Sequence, residues 1–460
     1  MVELRHGFRI NPDKCDGRMS CMRACPTHAI RVKNGKARLV SELCIDCGSC
    51  LGVCEMSAIS ATTMKFAELG GYEFKVAVAS PALFMQFGLR VTPADVVRAL
   101  LELGFDAVWE YAVDMALVDR AITDLVKKWP GPFPLISNSC PVVVRLIQVA
   151  YPSMVGHVLP LEVSREIAAR ELKRRYSREM GLKPEEIAAI YITPCQAKAI
   201  SILQPAEEAK SNLDGAMAIS EIYNDLLTKM REAVRPGDAP KDLVTAGQLL
   251  QWGAPEGEIP ALSGEHYVPL MGLTQIMKVF DDIEKGRIRN IEFLDCHACQ
   301  GGCLGGNLTV ENLYEARSRD LHLMASMPKP GPEFEQEVDR RYALEDFSLR
   351  GSLKPRQTEG EAIDLRERVM RRKRAEEVLR TLPLLNCGLC GAPKCKSHAE
   401  DVAASRADLL DCVFLSPERI KALGKHYKKQ LADAPRYGAT ASRRRFPRSP
   451  VDRHRDRICL

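Results

Sequence analysis

Nowhere does the chain run to 18 uninterrupted apolar residues, so no segment reads as a transmembrane helix. Its start, MVELRHGFRINPDKC, lacks an apolar stretch behind a basic region, so no export signal is expected, and the expected compartment is the cytoplasm. No G-x-G-x-x-G follows a strand pattern and there is no P-loop, which leaves the chain without an evident nucleotide site of its own. Cysteine, at 17 in 460 residues, is too sparse for a disulfide scaffold. Net charge is also small. The formal +5 comes mainly from the last 25 residues, where eight arginines from Arg436 to Arg457 face only Asp452 and Asp456. That end reads as a solvated, disordered tail. With no aromatics interleaved beyond Tyr437 and Phe446, it gives nucleic acid little support as a partner. Cys459 is second from the end, whereas prenylation needs the thiol fourth from the end.

What the chain does have is cysteine in groups: fifteen of the seventeen fall into three sets. In the first 60 residues a unit repeats at an offset of 29, so that Cys15, Cys21, Cys25, Ala29 and Ile30 recur as Cys44, Cys50, Cys54, Ala58 and Ile59. The second copy, Cys44-x2-Cys47-x2-Cys50-x3-Cys54, has the bacterial ferredoxin spacing, in which three thiolates wrap one cubane and the fourth reaches another. By that rule Cys44, Cys47 and Cys50 share a 4Fe-4S cluster with Cys25. The first copy departs from the pattern. Arg18 stands where Cys47 has its repeat mate, leaving Cys15, Cys21 and Cys54. That site takes a 3Fe-4S cluster, a 4Fe-4S cluster with one non-cysteine ligand, or nothing; some cluster is the favoured expectation.

The last set, Cys387-x2-Cys390-x4-Cys395-x16-Cys412, is read as a further iron–sulfur ligand set. Zinc is the competing occupant, but zinc ribbons favour two short pairs. The 2, 4, 16 spacing resembles a small 4Fe-4S domain of bacterial electron-transfer subunits and corrinoid iron–sulfur proteins.

Between these sets the pattern is α/β. Short apolar runs (FKVAVAS, DAVWEYA, FPLIS, AAIYIT, GAMAIS, RNIEFLD) alternate with helix-period segments, which predicts a largely parallel sheet. Helices are expected from Thr92 and Pro93, over Val118 to Lys128, Val163 to Met180, Glu221 to Ala233 and Thr274 to Lys285. The stretch from Pro328 to Gly360, rich in Pro, Gly and charge, reads as a connector, and a charged helix follows from Glu361 to Leu382. Four cysteines each follow an expected strand: Cys140, Cys195, Cys299 and Cys303. Loops at the carboxyl ends of parallel strands converge on one crevice, so these four can meet. Cys296 is expected to fill core space.

The contexts SNSCPVVV, TPCQAKA and DCHACQGGCLGG resemble the three signature loops of the iron-only hydrogenases, over roughly residues 74 to 330. The resemblance implies that Cys140, Cys195, Cys299 and Cys303 hold a cubane. Cys303 then also bridges to a diiron subsite bearing CO and cyanide, and Lys198 holds a cyanide ligand. It implies that Gly301, Gly302, Gly305 and Gly306 let the backbone close around the cluster. It also locates departures. Ser139 replaces the proton-shuttling cysteine, Ser201 and Asp295 replace glutamates, and His297 replaces a methionine. A hydroxyl is a far weaker acid than a thiol, so fast turnover is not expected. These changes, with a cysteine-rich segment after the catalytic one, resemble the sensory-type branch of the family.

The expected fold is thus α/β, a two-lobed hydrogenase-like domain (66–330) with largely parallel sheets. A small α+β ferredoxin-like domain (1–65) precedes it. A linker with a charged helix (331–380), a small helical four-cysteine 4Fe-4S domain (381–430) and a basic tail (431–460) follow. Three to four clusters are expected. The resemblance implies a ferredoxin-type hydrogenase interconverting H2 with protons and electrons, with Cys303, Lys198 and Ser139 in catalytic roles, or a slow H2 or redox sensor. Its partner is a redox protein such as ferredoxin, or a signalling kinase or phosphatase. The alternative is a non-catalytic electron-transfer or cluster-assembly protein, related to the eukaryotic Nar family, that keeps the cubane and lacks the diiron subsite.

Overall fold

The computed structural model describes residues 4–109, 112–207, 210–232, 266–327, 331–356 and 364–415. At the N-terminus, β1 (Phe8–Ile10) pairs antiparallel with β4 (Ile59–Ala61), and β2 (Ile30–Lys33) with β3 (Lys36–Leu39). The sequence repeat is visible in the backbone. Short helices at Ser20–Ala24 and Ser49–Gly52 start 29 residues apart. Left-handed residues come in pairs at the same interval: Gly17 with Asp46, Met19 with Gly48, His28 with Ser57.

Two parallel sheets follow. The first, in order β6-β5-β8-β9, contains β5 (Phe74–Ala79), β6 (Ala107–Trp109), β8 (Ile187–Thr193) and β9 (Gly215–Ala218). The second, in order β10-β11-β7, contains β7 (Leu135–Ile136), β10 (Tyr267–Met271) and β11 (Phe293–His297). Every residue of β8 is buried, as a central parallel strand covered on both faces requires. Its side chains alternate between two cores. Ala188, Ile190 and Ile192 join Ala77, Leu83 and Leu100, while Ala189 and Tyr191 join Val76, Val78, Leu117 and Leu172.

Helices Pro93–Leu103, Ala112–Lys128, Ser164–Met180 and Ile219–Glu232 flank the first sheet. The first of them starts where Thr92 and Asp95 exchange capping hydrogen bonds. Residues Ile136, Leu146, Ile147, Phe280 and Leu294 form the core beside the second sheet, drawn partly from helices Pro141–Ala150 and Leu273–Glu284.

The expected connector turns out otherwise. Pro332–Tyr342 is a helix whose Phe334 and Val338 pack into the core beside Val76, and its buried Arg341 meets Asp114 at 2.7 Å. An apolar pair at i, i+4 was masked by the surrounding charge. The charged helix spans Leu365–Thr381 and is followed by Cys395–Ala403.

The chain divides into two compact units, Met1–Ala407 and Asp408–Leu460. In the second, the described residues form a 3-10 turn, Leu409–Asp411, that ends on buried Cys412. The basic tail and Cys459 lie outside the described residues. No helix among the described residues is long and apolar enough to cross a membrane.

Candidate metal centre

The N-terminal cysteines are electrostatically coupled. Burial raises the Cys50 thiol, and Cys47, Cys25 and Cys21 raise it further; Cys44 is raised by burial, then by Asp46, Cys47 and Cys25, and burial pushes Cys47 up to about 11. Cys21 is raised by burial and by Cys15 and Cys54. Backbone amides point at the sulfurs in symmetry-related fashion, Ala29 N–H to Cys25 Sγ at 3.1 Å and Ala58 N–H to Cys54 Sγ at 3.3 Å. Such N–H dipoles favour thiolate and cluster charge. Arg18, in place of a fourth cysteine, faces outward and pairs with Asp16 and Glu55.

The mid-chain quartet comes from both sheets. Cys195 follows β8 of the first and caps helix Gln196–Leu203; Cys140 follows β7 of the second and caps helix Pro141–Ala150. Cys299 and Cys303 follow β11. Two helix N-termini therefore favour negative charge here. The four thiols act on one another. Burial pushes Cys195 up to about 11, with Cys303 and Cys140 adding to it, and burial, Cys195, Cys140 and Cys303 together raise Cys299 well above the usual thiol range. Cys296, within β11, is fully buried in the core.

Cys303 differs from its neighbours. Burial pushes its thiol up, but the Lys198 ammonium and then the His297 ring outweigh burial and hold it down at about 6. Lys198 Nζ lies 3.2 Å from Cys303 Sγ, and the nearby thiolate keeps the ammonium protonated against its own burial. His297 is oriented from behind by Asp295, whose Oδ2 lies 3.1 Å from His297 Nε2. Cys303, Lys198 and His297 border a small cavity lined also by Ser139, Arg165 and Tyr191. Ser139 Oγ accepts from Ser137 Oγ at 3.0 Å, and Arg165 donates to Ser139 O and Ser201 Oγ. Ser201 in turn donates to the Lys198 carbonyl at 2.8 Å.

Sequence reasoning missed how the N-terminal loop is fastened to this centre. Asp46, between Cys44 and Cys47, is fully buried and accepts from His6, Gly7 N–H and Arg145, the last from the helix that Cys140 caps. Gln196, next to Cys195, donates to the Asp46 carbonyl at 2.7 Å; Asn307 donates to Cys47 O at 2.9 Å and Arg356 to Cys44 O at 2.6 Å. Gly48, at φ 76°, lies so close to Gln196 and Asn307 that a Cβ would meet their amide nitrogens at 2.2 and 2.3 Å. Cys47 is near enough to Cys299 to raise its thiol. The one legible hint was the polar Asp46 inside a ligand loop.

Both sets fit iron–sulfur clusters on the chemistry of their donors. Buried thiols that oppose one another's ionisation need a polycation to become thiolates together, and soft sulfur selects iron. Of the C-terminal set, Cys387, Cys390 and Cys395 belong to the first unit, the last opening helix Cys395–Ala403, while Cys412 belongs to the second.

Fold and donors thus define an iron–sulfur protein with a mid-chain cysteine quartet. Three family models match: "Iron only hydrogenase large subunit, C-terminal domain" over residues 73–234, "4Fe-4S dicluster domain" over 8–55, and an Fe-S cluster model over 382–414. Residues 73–234 thus carry the C-terminal-domain pattern of the iron-only hydrogenase large subunit, behind a 4Fe-4S dicluster segment. It is 24% identical to Iron hydrogenase 1 of Clostridium pasteurianum over 266 residues, 48% of this chain and 46% of that protein, and so spans about half that relative's length. It is 41% identical to a ferredoxin of Pyrobaculum islandicum over 81 residues, 16% of this chain and 76% of the ferredoxin. Among solved structures, FeFe-hydrogenase HydA1 of Chlamydomonas reinhardtii matches 61% of this chain and 94% of its own, at 16% identity and TM-score 0.46.

Proposed function

We propose that this protein interconverts H2 with two protons and two electrons at a cubane held by Cys140, Cys195, Cys299 and Cys303, joined through Cys303 to a diiron subsite, and that it does so slowly, as an H2 or redox sensor in the cytoplasm. The observation that carries the reading is Lys198 Nζ at 3.2 Å from Cys303 Sγ on the wall of a small cavity. When bound, the diiron group with CO and cyanide ligands supplies the H2 chemistry.

The chain's own residues hold and charge-balance that site. Lys198 offers a charged donor to an anionic ligand. Arg165 fixes the backbone of Ser139 at the cavity edge. Ser139, a hydroxyl where a thiol would transfer protons readily, limits the rate. The clamp around Asp46 keeps the Cys47 loop beside Cys299, so single electrons pass between the mid-chain centre and the N-terminal clusters and on to a ferredoxin-type partner.

Infrared spectroscopy of protein matured with cluster-assembly factors tests this. Bands of iron-bound CO and cyanide are expected, with a low rate of H2 evolution from reduced viologen. A loaded cubane without those bands selects the non-catalytic reading, which Ser139 and Ser201 favour.

A further inference from the structure

We infer that the C-terminal cysteine segment is a docking port for an acidic one-electron carrier protein. Its parts are Leu384, Leu385 and Leu389 around Cys387 and Cys390, together with one face of helix Leu365–Thr381. The inference rests on the reading that Cys387, Cys390 and Cys395 hold iron.

Single exposed leucines are ordinary. Here three lie within six residues, 59%, 59% and 50% exposed, on both sides of candidate ligands. Their loop is built rather than loose. Leu384 and Asn386 take left-handed conformations at φ 57° and 49°, and the Asn386 side chain accepts from Cys395 N–H at 2.9 Å. Non-glycine residues held in that conformation cluster at functional sites.

The adjoining helix carries seven Arg and Lys against three Glu. Arg371 and Arg372 are engaged by Glu367 and Glu376 along the helix. Arg366, Val369, Met370, Lys373, Glu377 and Arg380 recur at i, i+3, i+4, i+7, i+11 and i+14 and are all exposed, which puts apolar contact area among three cations and one carboxylate on one face. A small apolar centre with a charged surround suits transient redox encounters steered by opposite charge. The occupant is therefore acidic. The chain's own residues 416–460, with thirteen Lys and Arg against four Asp and Glu, have the wrong sign.

The inner side of the same segment is fastened to the ferredoxin-like fold. Arg31 and Asp401 form a buried ion pair, Val32 N–H donates to Gly391 O at 2.9 Å, and Lys33 Nζ donates to Arg406 O at 2.9 Å. Gly391, at φ 84°, lies so close to Val32 O that a Cβ would sit 2.0 Å from it. These contacts lie in the chain between Cys25 and Cys44. One electron leaving a reduced carrier reduces the C-terminal cluster by one electron and leaves the carrier oxidised by one, with no bond or proton exchanged. The N-terminal set is the onward acceptor.

The test titrates full-length, iron-loaded protein with an acidic dicluster bacterial ferredoxin at low and high salt. Salt-sensitive binding is expected. It should weaken about tenfold or more in an Arg366→Glu, Lys373→Glu, Arg380→Glu variant and in a Leu384→Ser, Leu385→Ser, Leu389→Ser variant, as loss of charge steering and of an apolar centre demands. Cluster absorbance and unfolding midpoint check that both variants fold. Unchanged affinity in folded variants overturns the port. So does duplex DNA binding this face where ferredoxin does not, or slowed hydrogen exchange at Leu384–Leu389 that depends on residues 416–460 and not on ferredoxin. Iron content that survives Cys387→Ser with Cys390→Ser defeats the underlying iron reading alone, because ferredoxin affinity is measured separately.

Discussion

Arg145 crosses from the helix capped by Cys140 to Asp46, between Cys44 and Cys47, and the two side chains are 2% and 0% exposed. One buried ion pair thus joins the ligand loop of an N-terminal cysteine set to an element that positions the mid-chain quartet. His6 and Gly7 N–H satisfy the rest of the carboxylate, which is what makes a buried charge tolerable.

Removing one partner leaves the other charge buried and unpaired. Arg145→Ala is expected to destabilise the protein by about 3–5 kcal/mol. Urea unfolding of the metal-free chain measures the loss. Magnetic coupling between the N-terminal and mid-chain clusters, read by electron paramagnetic resonance, should weaken in the loaded variant even where the protein still folds.

Lys198→Met removes the charged donor beside Cys303 and keeps most of the side chain's bulk. The cubane should load as in the parent, while the CO and cyanide bands fall at least about tenfold, the scale of losing a charged hydrogen bond of ~1.5–3 kcal/mol. Equal bands in parent and variant would mean that Lys198 has no part in holding the subsite.

Ser139→Cys places a thiol where the hydroxyl now accepts from Ser137. General acid–base groups contribute about 10²–10⁴-fold, so H2 evolution should rise by about two orders of magnitude at neutral pH. A rate that does not move would place the limiting step elsewhere.

Asp320 offers a pH test away from the metal centre. Burial raises its carboxyl to about 6, Arg317 offsets only part of that, and Oδ1 has no hydrogen-bond partner. Because the folded value lies above the unfolded value near ~4, the folded state binds the extra proton between the two. Stability is therefore fully present below about pH 4 and is lost as pH rises through about 6, by at most ~3 kcal/mol. Asp320→Asn should remove that fall, seen as a denaturant midpoint that no longer drops between pH 4 and pH 6 relative to the parent.

Much of the fold could be read along the chain. β8, and β5 from Val76 onward, are apolar runs because both their faces are covered, and Thr92 with Pro93 marks a helix start by capping chemistry. β10 was missed, since it is an edge strand with Pro269 inside it and an edge tolerates what a central strand forbids. GAMAIS reads as one strand, yet β9 stops at Ala218 and the helix starts at Ile219, a boundary that apolar residues cannot mark when both elements are buried. The helix Pro332–Tyr342 was hidden because two apolar residues carry its packing among charges.

The sequence by itself marked the two N-terminal cysteine sets: Cys44, Cys47 and Cys50, three residues apart, can wrap one volume, and the 29-residue repeat supplies Cys25 and Cys54 as the ligands exchanged between the copies. It also marked Cys140, Cys195, Cys299 and Cys303 as ends of strands. Only the tertiary structure decided what surrounds them: Lys198 and His297 on Cys303, Arg145 and Gln196 on Asp46, Arg31 on Asp401. These partners stand up to 370 residues apart in the chain, and such pairings leave no periodicity or spacing to read, because packing alone brings them together.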